Sequence, residues 1–268
     1  MSHTPIDQLQ AIINRSWEQR SSGLPTETRP AVEEVLQLLT DGVLRSATPN
    51  GDGKWTTHEW VKKAILLHFA QTQSRVMHAG DLAFFDKVET RRDWEEAGVR
   101  VVPPATVRHG AHISRGAILM PSYVNIGAWV GPGTMIDTWS TVGSCAQVGA
   151  NCHISGGVGI GGVLEPLQAS PVIIEDNVFI GARSEVAEGV LVGEGAVLAM
   201  GSYLSQSTKI YDAVNGGRIS RGYIPPRAVC VPGALPSADG THSTYALIIK
   251  KYRDAQTDAK TALNDILR

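Results

Sequence analysis

Two hydrophobic periods alternate with polar positions along this chain, and they predict different architecture. In the first hundred residues the apolar positions follow a helical stripe. Ile6, Leu9, Ile12, Ile13 and Trp17 line one face after Pro5, a residue suited to a first helical turn. Pro30 is read as opening a second helix carrying Val32, Val35, Leu36 and Leu39, with Gly42 placed to stop it. The turn-rich run Thr48-Pro49-Asn50-Gly51-Asp52-Gly53, between Val43–Ala47 and Lys54–Trp55, predicts a small hairpin. Thr56 and Glu59 have capping-box spacing ahead of a third helix through Trp60, Val61, Ala64, Ile65 and His68.

Beyond Val107 the period becomes six. Val124, Val130, Ile136, Val142, Val148, Ile154 and Ile160 form one series; Ile174, Ile180, Val186, Val192, Leu198, Leu204 and Ile210 form another. Every member is Val, Ile or Leu. Four residues after each stands a second inward candidate, mostly small or β-branched, as at Ala128, Thr134, Ser140, Ala146 and Cys152. Gly commonly follows the aliphatic residue, as at Gly131, Gly143, Gly149 and Gly181. A six-residue period fits neither a 3.6-residue helix nor a hairpin meander. It predicts a mainly β fold, a parallel β-helix of short strands with three hexads per coil. Val107, Ile113 and Leu119 lie one residue out of this phase. Between Ile160 and Ile174, the preferred reading keeps Ile160–Glu165 as a hexad and makes Pro166–Ile173 an eight-residue excursion. Ile224 to Val229 is read as a last coil, Tyr245 to Tyr252 as a strand, and Asp258 to Leu267 as a terminal helix. The expected organisation is a mainly helical domain over 1–102, the hexad coil over 103–236 with its excursion near 166–173, and a strand–helix segment over 237–268.

Composition narrows the function classes. With 24 basic and 26 acidic residues the net charge is −2, which gives no general attraction to nucleic acid or anionic membrane. No run of about 18 apolar residues suggests a bilayer span. Met1-Ser2-His3-Thr4-Pro5 lacks the pattern of a signal peptide, and three cysteines suit a reducing compartment, so a cytoplasmic protein is expected. The 28 glycines gather in the coil, where tight corners matter more than bulk.

The run Gly157-Val158-Gly159-Ile160-Gly161-Gly162 has the glycine spacing of a dinucleotide loop. That motif acts only between a strand and a helix, and here the hexad frame runs straight through it. Cys145 and Cys152 lack CxxC spacing, and Cys152 falls on an inward position. No metal site is expected, since no His pair has zinc spacing with a catalytic Glu. His153 is retained as a candidate. Asp137 and Glu185 stand off the inward positions in stretches rich in Trp, Ser, Thr and Arg. A carboxylate there could accept a proton from an amine nucleophile or orient it. Arg100, in Val99-Arg100-Val101-Val102-Pro103-Pro104, suits a substrate carboxylate or an interdomain ion pair.

The hexads resemble those of the hexapeptide-repeat acyltransferases, whose coils are left-handed triangular prisms. The interspersed motifs are more specific. Phe85-Asp86-Lys87-Val88, Arg100-Val101-Val102-Pro103-Pro104, Met120-Pro121-Ser122-Tyr123-Val124-Asn125-Ile126-Gly127 and Asp137-Thr138-Trp139 occur in order. They are followed by Gly156 to Pro166, Phe179-Ile180-Gly181-Ala182-Arg183-Ser184-Glu185 and Gln206-Ser207-Thr208. Together they resemble the 2,3,4,5-tetrahydropyridine-2,6-dicarboxylate N-succinyltransferase family. The resemblance implies a homotrimer with sites between neighbouring coils, succinyl-CoA as cosubstrate and no tightly bound cofactor. The cyclic dicarboxylate would be hydrated and opened to expose the attacking amine. Position by position, Arg100 and Asp137 become substrate-binding residues, for a carboxylate and the amine, and Glu185 helps bind or deprotonate that amine. Lys250 and Lys251 are candidates for the coenzyme phosphates. The competing readings are an enzyme with another acyl donor and a non-catalytic trimeric scaffold. The hexad count places Asp137 and Glu185 two coils apart, roughly 10 Å along the axis, which predicts a site using one carboxylate from each of two chains.

Overall fold

Two-residue strands separated by four-residue corners build most of the chain into a left-handed parallel β-helix. The computed structural model describes residues 4–51, 53–254 and 257; the expected terminal helix lies outside them. The first face stacks Arg100–Val101, Ile118–Leu119, Met135–Ile136, His153–Ile154, Phe179–Ile180 and Val197–Leu198, all parallel. The second stacks Thr106–Val107, Tyr123–Val124, Thr141–Val142, Gly159–Ile160, Glu185–Val186 and Tyr203–Leu204. The third runs from His112–Ile113 through Trp129–Val130, Gln147–Val148, Ile173–Ile174 and Leu191–Val192 to Tyr223–Ile224. In every rung the second residue points inward, so Ile136, Ile154 and Ile180 stack at zero exposure.

The inward small residues are buried too, and the polar ones among them bond to the next coil. Thr134 Oγ1 donates to Gly149 O at 2.7 Å and accepts from Cys152 N at 2.9 Å. Ser140 Oγ donates to Ser155 O at 2.7 Å. The glycines after the aliphatic positions serve close coil-to-coil approach: a Cβ at Gly131 would lie 2.5 Å from Gly149 C. Positive φ falls instead on the third corner residue, as at Gly133 (68°) and Asn151 (54°).

The frame irregularities are absorbed at corners. Leu119 and Val124 are five residues apart, and the corner at 120–122 is shortened while Leu119 still pairs with Ile136 and Val124 with Val142. Ile174 pairs with Val148, so the chain between Ile160 and Ile174 is one hexad plus the expected excursion. Ile210 is buried but leaves the coil: Lys209–Asp212 pairs with Arg218–Ser220 and with the long strand Ser243–Tyr252. Ile224 returns to pair with Val192, and Ala228–Pro236 extends the first face before pairing antiparallel with Ser243–Tyr252.

Three helices, α1 (Ile6–Gln19), α2 (Thr28–Thr40) and α3 (Glu59–Gln71), pack around Leu9, Ile13, Val35, Leu36, Val61 and Ile65. Four local features of this layer differ from the expected ones. Helix α2 starts at Thr28, so Pro30 lies inside its first turn. The hairpin strands are Ala47–Pro49 and Trp55–Thr57. The Thr56–Glu59 capping box does not form, because Thr56 is held in the hairpin opposite Thr48 and His58 takes the N-cap position. Finally, the stretch after α3, to which the sequence assigns no element, carries a second hairpin, Arg75–Ala79 with Leu82–Asp86.

The helical layer is fastened to the corner between the second and third faces. Ile126 and Cys145 belong to its hydrophobic cluster. Buried Gln147 donates through Nε2 to Ser46 Oγ and Cys145 O, both at 2.9 Å, and accepts from Arg45 Nε at 2.8 Å. Arg45 is stacked 3.9 Å over Trp129, and burial lowers its pKa to about 10. The excursion docks on the same layer, with Lys62 Nζ donating to Ala169 O at 2.6 Å. Its position is structural: it braces the helical layer, one corner away from Asp137.

Candidate active site

The corner between the first and second faces carries the polar residues singled out by sequence. Asp137 follows Ile136 directly and its amide remains in the ladder, donating to Ile154 O at 2.9 Å. Oδ1 accepts from Thr138 N at 2.6 Å and Thr138 Oγ1 at 3.1 Å. This turn directs Oδ2 toward His153 Nε2, 3.7 Å away. The separation would suit an ion pair only with a protonated imidazole, and it exceeds a hydrogen bond. His153 is half-buried against the edge of Phe179, their ring centroids 5.1 Å apart. Burial pushes its pKa down, while Asp137 opposes the shift. Its Nε2 is enclosed without a hydrogen-bond partner among the described residues.

Glu185 stands on the second face, two rungs above Thr141 and one above Gly159. Its carboxylate folds back over Gly159, occupying the space a Cβ there would need. The backbone count of two rungs therefore overstates the axial gap between the carboxylates, because the Glu185 carboxylate descends about one strand spacing, near 4.8 Å. The two residues still stand on different faces, whose outward directions diverge.

This corner also holds Trp139 and Arg183 in left-handed backbone conformations, with φ of 60° and 58°. Their equivalents Gly157 and Gly201 are glycines with φ of 67° and 71°. Bulky residues at such positions carry a strain of order 1 kcal/mol. Trp139 is 64% exposed, an unusual placement for the largest apolar side chain. Neither residue was singled out from sequence as a site residue, although both sit within the stretches that drew attention to Asp137 and Glu185.

Arg100 lies on the first rung of the first face, two rungs below Met135–Ile136. Lys250 and Lys251 lie on Ser243–Tyr252, in the same ten-stranded sheet as Asp137 but near its opposite edge. Lys250 is exposed at a register shift, and Lys251 is paired with Asp254 at 2.8 Å. The structure thus places Asp137 and His153 side by side, Glu185 around the corner, and Arg100 and the lysines at a distance. Cys145, Cys152 and Cys230 are buried free thiols pushed up to about 12, which leaves them unsuited to nucleophilic work. Among the described residues, no group of three or more His, Cys, Asp or Glu is placed to hold a metal ion, and no helix is long and apolar enough to cross a membrane.

The hexad coil is that of the hexapeptide-repeat class, and the sequence matches its acyltransferases. Residues 171–206 match the hexapeptide repeat of succinyl-transferase, and residues 8–70 match the tetrahydrodipicolinate N-succinyltransferase N-terminal model. The 2,3,4,5-tetrahydropyridine-2,6-dicarboxylate N-succinyltransferase of Acinetobacter baylyi is 56% identical, over 98% of this chain and 99% of its own. The enzyme of the same name from Polynucleobacter asymbioticus is 55% identical across both whole chains. A Campylobacter jejuni crystal structure described as a 2,3,4,5-tetrahydropyridine-2-carboxylate N-succinyltransferase shares the fold, with a TM-score of 0.57 and 17% identity, over 82% of this chain and 62% of that one. The chain belongs to the tetrahydrodipicolinate N-succinyltransferase family.

Proposed function

We propose that the protein transfers the succinyl group of succinyl-CoA to the amine of hydrated, ring-opened 2,3,4,5-tetrahydropyridine-2,6-dicarboxylate. The product is N-succinyl-2-amino-6-oxopimelate, a step in diaminopimelate and lysine biosynthesis. More than half identity with succinyltransferases along the whole chain is the observation that carries this reading. The amine lone pair attacks the thioester carbonyl, forming the C–N bond and a tetrahedral oxyanion. Collapse breaks the C–S bond, and the proton lost by the amine passes through a carboxylate to the departing thiolate. Asp137, oriented by Thr138 and faced by neutral His153, holds the amine. Glu185 serves the same amine as acceptor. Because the two residues stand on diverging faces, Asp137 of one chain meets Glu185 of a neighbour in a homotrimer. Arg100, on the Asp137 face, takes the carboxylate remote from the amine. Lys250, exposed farther along that face, is assigned to the coenzyme phosphates, and Lys251 supports it beside Asp254. The protein works in the cytoplasm with no tightly bound cofactor.

The test is thiol release with the cyclic dicarboxylate and either succinyl-CoA or acetyl-CoA. Release is expected with succinyl-CoA and to be far slower with acetyl-CoA. Equal rates would reassign the donor, and no release with either would leave a scaffold.

A further inference from the structure

The glycine run that imitates a dinucleotide loop has another use at this corner. Gly159 is a strand residue without positive φ, so its backbone does not require glycine, and the absent Cβ is the space occupied by the Glu185 carboxylate. Two residues earlier, Gly157 is covered in the same way by the guanidinium and Cδ of Arg183. The pair Gly157 and Gly159 therefore forms a recess in one coil. Arg183 and Glu185 of the next coil lie back into it, side by side.

Their spacing is informative. Residues two apart in extended chain are separated by about 6–7 Å, and no ion pair joins Arg183 to Glu185 among the described residues. The two charged groups thus lie over neighbouring glycines of one coil without a direct ion pair between them. Arg183 is exposed, at the corner position that takes a positive φ along the coil, here 58°. The proposed nucleophile has matching chemistry, since its amine sits on a carbon that also bears a carboxylate. Any anion that holds the amine needs a cation beside it for that neighbouring carboxylate. Arg100 stands four rungs below Phe179–Ile180, the strand that leads into this corner, too far to serve both ends of one α-amino acid group beside Glu185.

We infer that Arg183, seated over Gly157, binds the carboxylate α to the reacting amine and selects α-amino acid nucleophiles. The inference rests on the proposed reaction and adds a specificity residue to it. Its planar fork can take both carboxylate oxygens, which a lysine cannot do.

The experiment compares wild type, Arg183→Gln and Arg183→Lys. In the coupled assay, Arg183→Gln is expected to raise KM for the dicarboxylate at least tenfold while KM for succinyl-CoA changes less than twofold. Arg183→Lys should fall between. A second arm uses calorimetry with a seven-carbon 2-amino-dicarboxylate and the matching amine that lacks the α-carboxylate. Wild type should prefer the amino acid, and Arg183→Gln should lose most of that preference. Unchanged preference and KM in a folded Arg183→Gln protein overturn the inference. Wild type without thiol release, yet binding the amino acid through Arg183, instead overturns the proposed reaction alone. Should Arg183→Gln not fold, Arg183→Lys decides, with an unreduced preference counting against the assignment.

Discussion

Asp137 and Glu185 reach their positions through local features that can be tested one side chain at a time. Asp137→Asn and Glu185→Gln leave the packed interior untouched, so thermal unfolding should shift little while turnover falls about 10²–10⁴-fold, the usual contribution of a general acid–base group. Near-normal turnover in either would remove that residue from the chemistry. Gly159→Ala probes the recess more finely. The clash is with the far end of a flexible side chain, so the fold should survive while the Glu185 carboxylate swings away. We expect kcat to fall about tenfold, less than the roughly 10²–10⁴-fold loss expected on removing a general acid–base group outright. In a Glu185→Gln background the same change should have almost no further effect on kcat. Additive losses would give Gly159 a role independent of Glu185.

At the scale of elements, the coil is held by aliphatic columns and the helical layer by a few buried polar links. Ile154 sits between Ile136 and Ile180 with no exposed surface. Ile154→Ala should lower unfolding stability by about 2–5 kcal/mol, the range for large-to-small changes in rigid cores, read from denaturant midpoints. The excursion tests a different connection. Lys62 is buried and its pKa is lowered, chiefly by that burial, and it anchors Ala169 O. Lys62→Met leaves that carbonyl without its donor, and limited proteolysis should then cut within residues 161–172 sooner than in wild type. An unchanged cleavage rate would mean that the apolar contacts of Leu164 hold the loop unaided.

For the whole molecule, acid should act earlier than carboxylate titration alone predicts. His58, His68, His109, His112 and His153 all have pKa values pushed below 6.5 by burial. The unfolded chain then binds more protons than the native one as pH falls through 6.5. Stability is fully present above that value and is lost on acidification toward the native pKa values. At fixed protein concentration the urea midpoint should be lower at pH 5.5 than at pH 7.5; equal midpoints would contradict the burial of these rings. Assembly is tested by mixing the Asp137→Asn and Glu185→Gln proteins. After verified subunit exchange, part of the activity should return if each site draws one carboxylate from each chain. Verified exchange without recovery would place both residues in one chain's site or leave one of them outside the chemistry.

The coil was legible in the sequence because a hexad repeats its demand at every turn: an aliphatic residue inward, then a small one, as from Val124 to Ser202. Periodic burial of this kind depends on local spacing, so the chain order alone determines it, and even the excursion after Ile160 could be counted. The Arg75–Asp86 hairpin and the departure of Ile210 from the coil were not legible, since neither is set by a repeating period. Asp137 and Glu185 could be nominated from their off-core positions and motif context. Their directions could not. That the Asp137 carboxylate turns to His153, and that Arg183 and Glu185 lie back over Gly157 and Gly159, depends on residues 16 to 26 positions apart meeting on successive coils. Such contacts exist only once stacking has placed one coil on the next, and so the tertiary structure alone decided them.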